Sequence, residues 1–378
     1  MSKLVRSVNR LFIGGSALLL FGALTVGANG QSAGPGPQGP SEKNMFVETP
    51  AGWKTPKTAW GDPDLQGTWP ISYVGSVPLE RCAGGGGRAG GASAPCDPDK
   101  AFLTEDEFKA RVAATNGRGN RYADAIKAGN FGAAFQAGAT DPTTPQRQTS
   151  LIVDPPNGRL PEMTAEGKRL SSLMRSSWEA YPGEVLTFDS EQDFDTWDRC
   201  ITRGMPASMF PFRYNNGVQI IQAPGYVILN MEMIHDVRIV SINGATAPSP
   251  KLKQWLGVSR GHWEGSTLVI ETTNYKPGAS ATNIGVMGSP QGNRFPTSEK
   301  MKTTERITRM NDTTLLYEIT TEDPVVITRP WTARFPLKLD NGYKWWEYAC
   351  IEGNRTIPDY ISASRAERAQ ATKETPKD

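Results

Sequence analysis

Beyond about Pro206, apolar and polar residues alternate in short runs. Roughly every ten to fifteen residues Gly, Pro, Asn or Asp interrupts them, and this period of two predicts successive β-strands. Runs 218–221 and 226–233 flank Ala223-Pro224-Gly225, and run 237–242 ends on the hairpin signal Asn243-Gly244. Run 262–273 is split at Gly265-Ser266, and runs 303–310 and 314–321 flank Asn311-Asp312. A last hairpin is expected from 331–339 and 343–350 around Asp340-Asn341-Gly342, which would put Trp345 and Trp346 on opposite faces of one strand. Region 206–361 therefore predicts an antiparallel meander, closing into a barrel or a strongly curved sheet.

The first half, 58–205, is less regular. Asp62-Pro63-Asp64 reads as a turn into a strand at 65–69. A helix is predicted over 103–114, because Thr104 and Glu107 have capping-box spacing and Phe108 and Val112 share a face. A second helix is predicted over 164–178, starting at Thr164. The expected architecture is mainly β, with an irregular α-containing N-terminal half packed on the sheet and a polar tail over 362–378. The many glycines and prolines, 39 and 29 of 378 residues, agree with short strands and frequent turns.

The N-terminus supplies an address. Lys3, Arg6 and Arg10 precede an apolar run over 11–27, and Ala28-Asn29-Gly30 then offers small residues, so 1–30 reads as a secretory signal peptide. Residues 31–57, polar and rich in Gly and Pro, read as a disordered leader. The mature chain is expected in the periplasm or outside the cell, with no stable membrane span after cleavage. A net charge of +2 and the lack of a basic stripe interleaved with aromatics argue against a nucleic-acid partner.

In an exported chain the four cysteines suggest disulfides. Cys82 and Cys96 bracket a glycine-rich run that closes easily, which leaves Cys200 to pair with Cys350.

Imidazole chemistry is confined to His235 and His262. His235 follows Glu232 and stands beside Asp236, with Arg238 two residues further on. Strand alternation separates His235 from Glu232, so their pairing would need a bulge or turn. His262 and Glu264 share a strand face, which makes an imidazole–carboxylate pair feasible. The plainer alternative is that both histidines only satisfy hydrogen bonds in a sheet or turn. Two histidines with disulfide-bonded cysteines fall short of a zinc site, and Asp189, Glu191, Asp193 and Asp195 lack the glycine and terminal glutamate of a calcium loop. No metal or cofactor is expected. No serine is expected in a G-x-S-x-G elbow, and no G-x-G-x-x-G or P-loop is expected on a strand-to-helix turn. Trp263 and Trp346 are candidate stacking platforms, and Tyr214-Asn215-Asn216 a candidate pocket rim for a small-molecule or saccharide ligand.

Gly67-Thr68-Trp69, the stretch from Arg199 to Gly204, the stretch from Met231 to Arg238, Gly261-His262-Trp263-Glu264-Gly265 and the words from Tyr348 to Asn354 carry a resemblance. Over nearly all of 55–361 the chain resembles a family of secreted bacterial proteins abundant in soil bacteria, whose activity the resemblance does not supply. Where members read Cys-His-Glu-Gly-Asn, this chain has Cys350-Ile351-Glu352-Gly353-Asn354, so a mechanism needing a third histidine is disfavoured. The G-x-W word also resembles the opening of lipocalin-like barrels.

Two functions follow as expectations. The first is an exported hydrolase or lyase acting on a small or oligomeric polar substrate, with His235, Asp236, Glu232 and Arg238, or His262 and Glu264, at its centre. The second is a non-catalytic lipocalin-like binder holding its ligand in a β cavity, an envelope-associated structural role being a further alternative.

Overall fold

The computed structural model describes residues 49–82, 97–130, 144–177, 187–244, 249–283 and 294–374. The expected signal peptide, most of the expected leader, Cys96 and Trp178 lie outside them.

The described chain is mainly β. Ten strands form one sheet that curls into a half-barrel: β1 (Gly67–Thr68), β2 (Ile152–Asp154), β3 (Val218–Ala223), β4 (Tyr226–Met231), β5 (Val237–Ile242), β6 (Val258–Glu264), β7 (Thr267–Thr273), β10 (Lys302–Asn311), β11 (Thr314–Glu322) and β12 (Trp331–Lys338). Their order is β1-β3-β4-β5-β6-β7-β10-β11-β12-β2, and β8 (Gly278–Asn283) pairs with β9 (Arg294–Thr297) as a separate ribbon. Three helices accompany the strands among the described residues: α1 (Glu105–Lys127), α2 (Ala165–Ser171) and α3 (Thr356–Glu374). No described helix is long and apolar enough to cross a membrane.

The alternation that predicted the strands sorts their side chains. On β11, Leu315, Tyr317 and Ile319 are buried while Leu316 and Glu318 are not, and β12 buries Trp331, Ala333, Phe335 and Leu337 against them. Turns form at Gly225, at Gly265-Ser266 and between β10 and β11, as read.

The sheet is mixed rather than purely antiparallel. β5 and β6 run parallel through Ser241↔Arg260 and Ile242↔Gly261. The strands approach closely there, since a Cβ on Gly261 would lie 2.8 Å from Ile242 Cδ1 and 2.9 Å from Val240 Cγ1. This spacing accounts for the glycine before His262.

The predicted last hairpin does not form. Its turn is present, with the Gly342 amide donating to Asp340 Oδ1 at 3.0 Å. The lane beside β12, however, is taken by β2, paired through Thr332↔Asp154 and Ala333↔Ile152. Residues 343–350 run as irregular chain, so Trp345 and Trp346 lie on no strand. The first half thus supplies both edges of the sheet, β1 against β3 and β2 against β12. The curl brings β1 back toward the end of β12, where the Asp340 amide donates to the Thr68 carbonyl at 2.9 Å.

Helix starts were legible and their ends were not. Thr104 and Glu107 exchange the expected capping-box bonds, Thr104 N to Glu107 Oε2 at 2.8 Å and Glu107 N to Thr104 Oγ1 at 3.3 Å, but α1 continues through Gly117 and Gly119. Thr164 caps α2 through the Gly167 amide at 2.9 Å, and α2 stops at Ser171, well short of 178. The polar tail is helical as far as Glu374. Arg365 and Arg368 on α3 hold Asp189, which gives that acidic stretch a structural use.

The interior holds an ion pair within an apolar core. Arg238 reaches across from β5 to Glu305 on β10, donating through Nη1 to Oε1 at 3.0 Å and through Nη2 to Oε2, with both side chains almost fully buried. Nη2 also donates to Ser259 Oγ at 3.1 Å and to Thr272 Oγ1 at 3.2 Å, and the Tyr317 hydroxyl donates to Glu305 Oε1 at 2.7 Å. Burial alone would lower the Arg238 pKa, but the Glu305 charge and hydrogen bonds outweigh it and hold the guanidinium above its ordinary range. Tyr275, Tyr317, Phe335 and this pair fill the interior with side chains.

Candidate functional site

The registers define two ends of the half-barrel. The end of β4 and the start of β5 lie at one, while β6, parallel to β5, finishes at the other. The candidate residues divide accordingly, into a cluster at the first end, a pair on the outer face and a cleft at the second end.

At the first end the chain passes from β4 to β5 through a tight turn, Met233–His235. Ile234 and His235 both adopt left-handed backbone, with φ of 61° and 55°. For Ile234, a β-branched residue, this conformation is strained. The turn breaks the strand alternation and re-aims the side chains. His235 is exposed and lies edge-on to the Tyr348 ring at 6.5 Å, while Asp236 is half-buried and accepts a hydrogen bond from Thr202 Oγ1 at 2.7 Å. Burial pushes the Asp236 pKa up to about 6, against the opposing pull of the Thr202 bond and the Arg238 charge.

An aromatic wall backs this pair. Tyr214 and Tyr348 stack at 6.4 Å, Trp197 Nε1 donates to the Tyr348 hydroxyl at 2.7 Å, and Phe212 lies edge-on to Trp197 at 4.7 Å. Buried Arg203 lies over the Trp197 and Phe212 rings at 4.9 and 5.4 Å and donates to the Phe210 carbonyl at 2.9 Å. Burial lowers its pKa to about 10, which leaves it charged at neutral pH. Burial raises the Tyr214 and Tyr348 hydroxyls, so both remain proton donors there. A crevice of about 200 Å³ opens alongside, lined by Ser177, Trp197, Asp198, Tyr348, Glu352 and Asn354 among others.

The expected Cys200–Cys350 disulfide joins the two loops that build this wall, with Cα atoms 5.7 Å apart. Cys82 is also disulfide-bonded, its expected partner Cys96 lying outside the described residues, and no described cysteine is free. Because the Cys200–Cys350 bond closes a loop of 150 residues, a Cys200→Ser/Cys350→Ser variant is expected to lose on the order of 2–4 kcal/mol in denaturant unfolding.

Other candidates at this end have structural work. Glu232 is buried and does not orient His235. Its carboxylate accepts from the Gly217 amide at 2.9 Å, the Tyr343 hydroxyl at 2.7 Å and the Trp346 amide at 2.6 Å, pinning the irregular 343–346 segment to the barrel end. Asn216 is turned inward, closing a turn onto the Phe212 amide at 2.7 Å and carbonyl at 3.0 Å, so it is not a rim residue. Half-buried Asn215 donates to the Trp346 carbonyl at 3.3 Å. Trp346 is 68% exposed and lies two residues before Tyr348 in the chain. Alternation along β5 turns Arg238 into the core, where its partner is Glu305, and its charge reaches Asp236 only as a secondary pull behind burial and the Thr202 bond.

His262 and Glu264 do pair, at 3.3 Å, but on the outer face of the sheet. Arg306 donates to Glu264 Oε2 at 2.8 Å, and chiefly this bond, together with His262, lowers the Glu264 pKa. Lys302–Glu271 on β10 and β7, and Arg334–Glu318 on β12 and β11, lie on the same outer face, so the pair belongs to a charged ladder on that face. Trp263 faces the other way and packs its ring on the core at the second end. Among the described residues no group of three or more His, Cys, Asp or Glu is placed to hold a metal ion.

Sequence reasoning assigned no site role to Thr202, Arg203 and Tyr348. Thr202 and Tyr348 each lie two residues from a cysteine of the predicted disulfide, so that pairing was the available signal. Comparison of the chain with protein-family models, with curated proteins and with solved structures returned no match.

Proposed function

We propose that the protein is an exported acid–base enzyme of hydrolase or lyase type, acting on a small or oligomeric polar substrate at the Asp236–His235 end of the half-barrel. Asp236 carries this reading. It is a half-buried carboxyl pushed up to about 6, held just after two left-handed residues and beside an exposed imidazole. Strain at a β-branched residue and a raised carboxyl pKa both cost stability and gather at functional sites.

A carboxyl titrating near 6 can give up and take back a proton around neutral pH. In hydrolysis one of the Asp236–His235 pair would take a proton from the attacking water while the other protonates the leaving oxygen. In elimination the base would take a carbon-bound proton instead. Tyr348, which the Tyr214 hydroxyl supports through a side-chain hydrogen bond, would donate to a substrate oxygen, and the open Trp346 ring offers a face for a sugar. The disulfide supports an oxidising compartment, in line with the signal peptide read from the sequence. The rival carrier with a β cavity finds no support in an interior filled by Tyr275, Tyr317, Phe335 and an ion pair.

Assay of the purified protein on glycosides, esters and uronate polymers tests this reading. His235→Gln is expected to lower kcat on the responsive substrate by about 10²-fold or more. Stability should change by less than about 1 kcal/mol, since no side-chain hydrogen bond from His235 occurs among the described residues. Full activity in His235→Gln, or no turnover across the panel, would defeat the proposal.

A further inference from the structure

The second end of the half-barrel carries a larger concavity that the acid–base reading does not use. Trp263 sits near the end of β6, and residues 54–63 fold over it, leaving an open cleft of about 560 Å³. Volumes of ~300–1,000 Å³ are usual for ligand clefts. Lys54, Lys57, Asp62, Trp263, Gly265 and Ser266 are among its lining residues.

Three features describe the ligand. Lys54 and Lys57 are exposed, and neither has a carboxylate partner among the described residues. The acids nearby are engaged: Asp62 accepts from Trp60 Nε1 at 2.9 Å, and Glu264 from Arg306 at 2.8 Å. The cleft therefore sets two lysine charges against the single carboxylate of Asp62, whose Trp60 partner is neutral, and its balance is positive. The Trp263 indole N–H is buried and has no acceptor, although buried donors are nearly always satisfied. Finally, the lining combines an indole with a serine hydroxyl and a carboxylate, which suits a ring rich in hydroxyl groups better than a bare anion.

We infer that this cleft is a second ligand site, for an acidic sugar. The ring lies against Trp263, the sugar carboxylate meets Lys54 and Lys57, and ring hydroxyls engage Asp62 and Ser266. The site is independent of Asp236, so it stands or falls separately from the enzymatic reading.

Titration calorimetry with trigalacturonate, against neutral maltotriose as the uncharged control, tests the inference on the full-length mature protein. Trigalacturonate should bind at low salt and weaken at high salt, as exposed lysines require, and maltotriose should bind at least about tenfold more weakly. Lys54→Glu/Lys57→Glu changes only exposed side chains and should reduce affinity by about tenfold or more, whereas Lys168→Glu/Lys300→Glu, an equal charge change elsewhere, should not. Trp263→Phe leaves a smaller aromatic ring without the N–H, and should weaken binding several-fold with the fold intact. His235→Gln should leave this binding unchanged, which separates a failure here from a failure of the acid–base site. Lack of binding, equal affinity for maltotriose, or an unaltered affinity in Lys54→Glu/Lys57→Glu would overturn the inference.

Discussion

Replacing Glu305 by alanine is expected to destabilise the protein by about 3–5 kcal/mol, because the change strands a charged guanidinium in the core. Arg238 directs its hydrogen bonds at Glu305, Ser259 and Thr272, and its Nε already lacks a partner, so no other group stands ready to neutralise it. Urea unfolding should show a lower midpoint with an unchanged slope. The double variant Arg238→Met/Glu305→Leu removes both charges and should recover most of the loss. Tyr317→Phe deletes one donor to Glu305 and should cost only about 1 kcal/mol. A Glu305→Ala variant as stable as the parent would mean that the pair is solvated and that this interior is not the closed core described.

This pair also marks how far the sequence could be read. Arg238 lies three residues from His235, and adjacency suggested one site. Alternation along β5 sends it inward, to a partner 67 residues away that no local pattern announces. Strands β3–β5, β7 and β10–β12 were legible because their runs alternate in the sequence, whereas the β8–β9 ribbon was not read from it. Pairing order was less legible. The parallel β5–β6 contact depends on a crossover whose endpoints look like any other turn. The lane beside β12 was lost to β2, a three-residue strand too short to carry a pattern. The predicted strand at 343–350 was therefore plausible locally and excluded by a competitor from the other half of the chain.

The candidate site was legible in part for a similar reason. His235, Asp236 and Tyr214 were singled out as candidates by residue type, and the Cys200–Cys350 bond was reached by the closure of the other loop. Glu232 and Asn216 were singled out by type as well, yet each has its polar atoms consumed by backbone and tyrosine partners. A carboxylate or amide read from sequence has no visible partners, and the partners decide whether it works or holds. The His262–Glu264 pair makes the same point from the other side: its geometry was foreseen, and its exposure on a charged ladder was not.

Asp236→Asn should separate working from holding at the proposed centre, because activity and stability are expected to move in opposite directions. On any substrate the panel identifies, kcat/KM should fall by about 10²–10⁴-fold, the usual range for loss of a general acid or base. Stability should rise, but only above a defined pH. In the unfolded chain Asp236 titrates near its ordinary value of 3.8, whereas in the fold burial holds it at about 6. Between these values the unfolded chain has released a proton that the folded chain keeps, so stability falls as pH rises through this window and stays reduced above it. Below about 4 both states are protonated and nothing is lost. Asparagine keeps an acceptor for Thr202 without the buried charge, so its melting temperature should match the parent near pH 4 and exceed it at pH 8. The difference corresponds to at most about 3 kcal/mol. An asparagine variant that is less stable at every pH would make Asp236 a structural hydrogen-bonding group and remove the basis of the acid–base proposal.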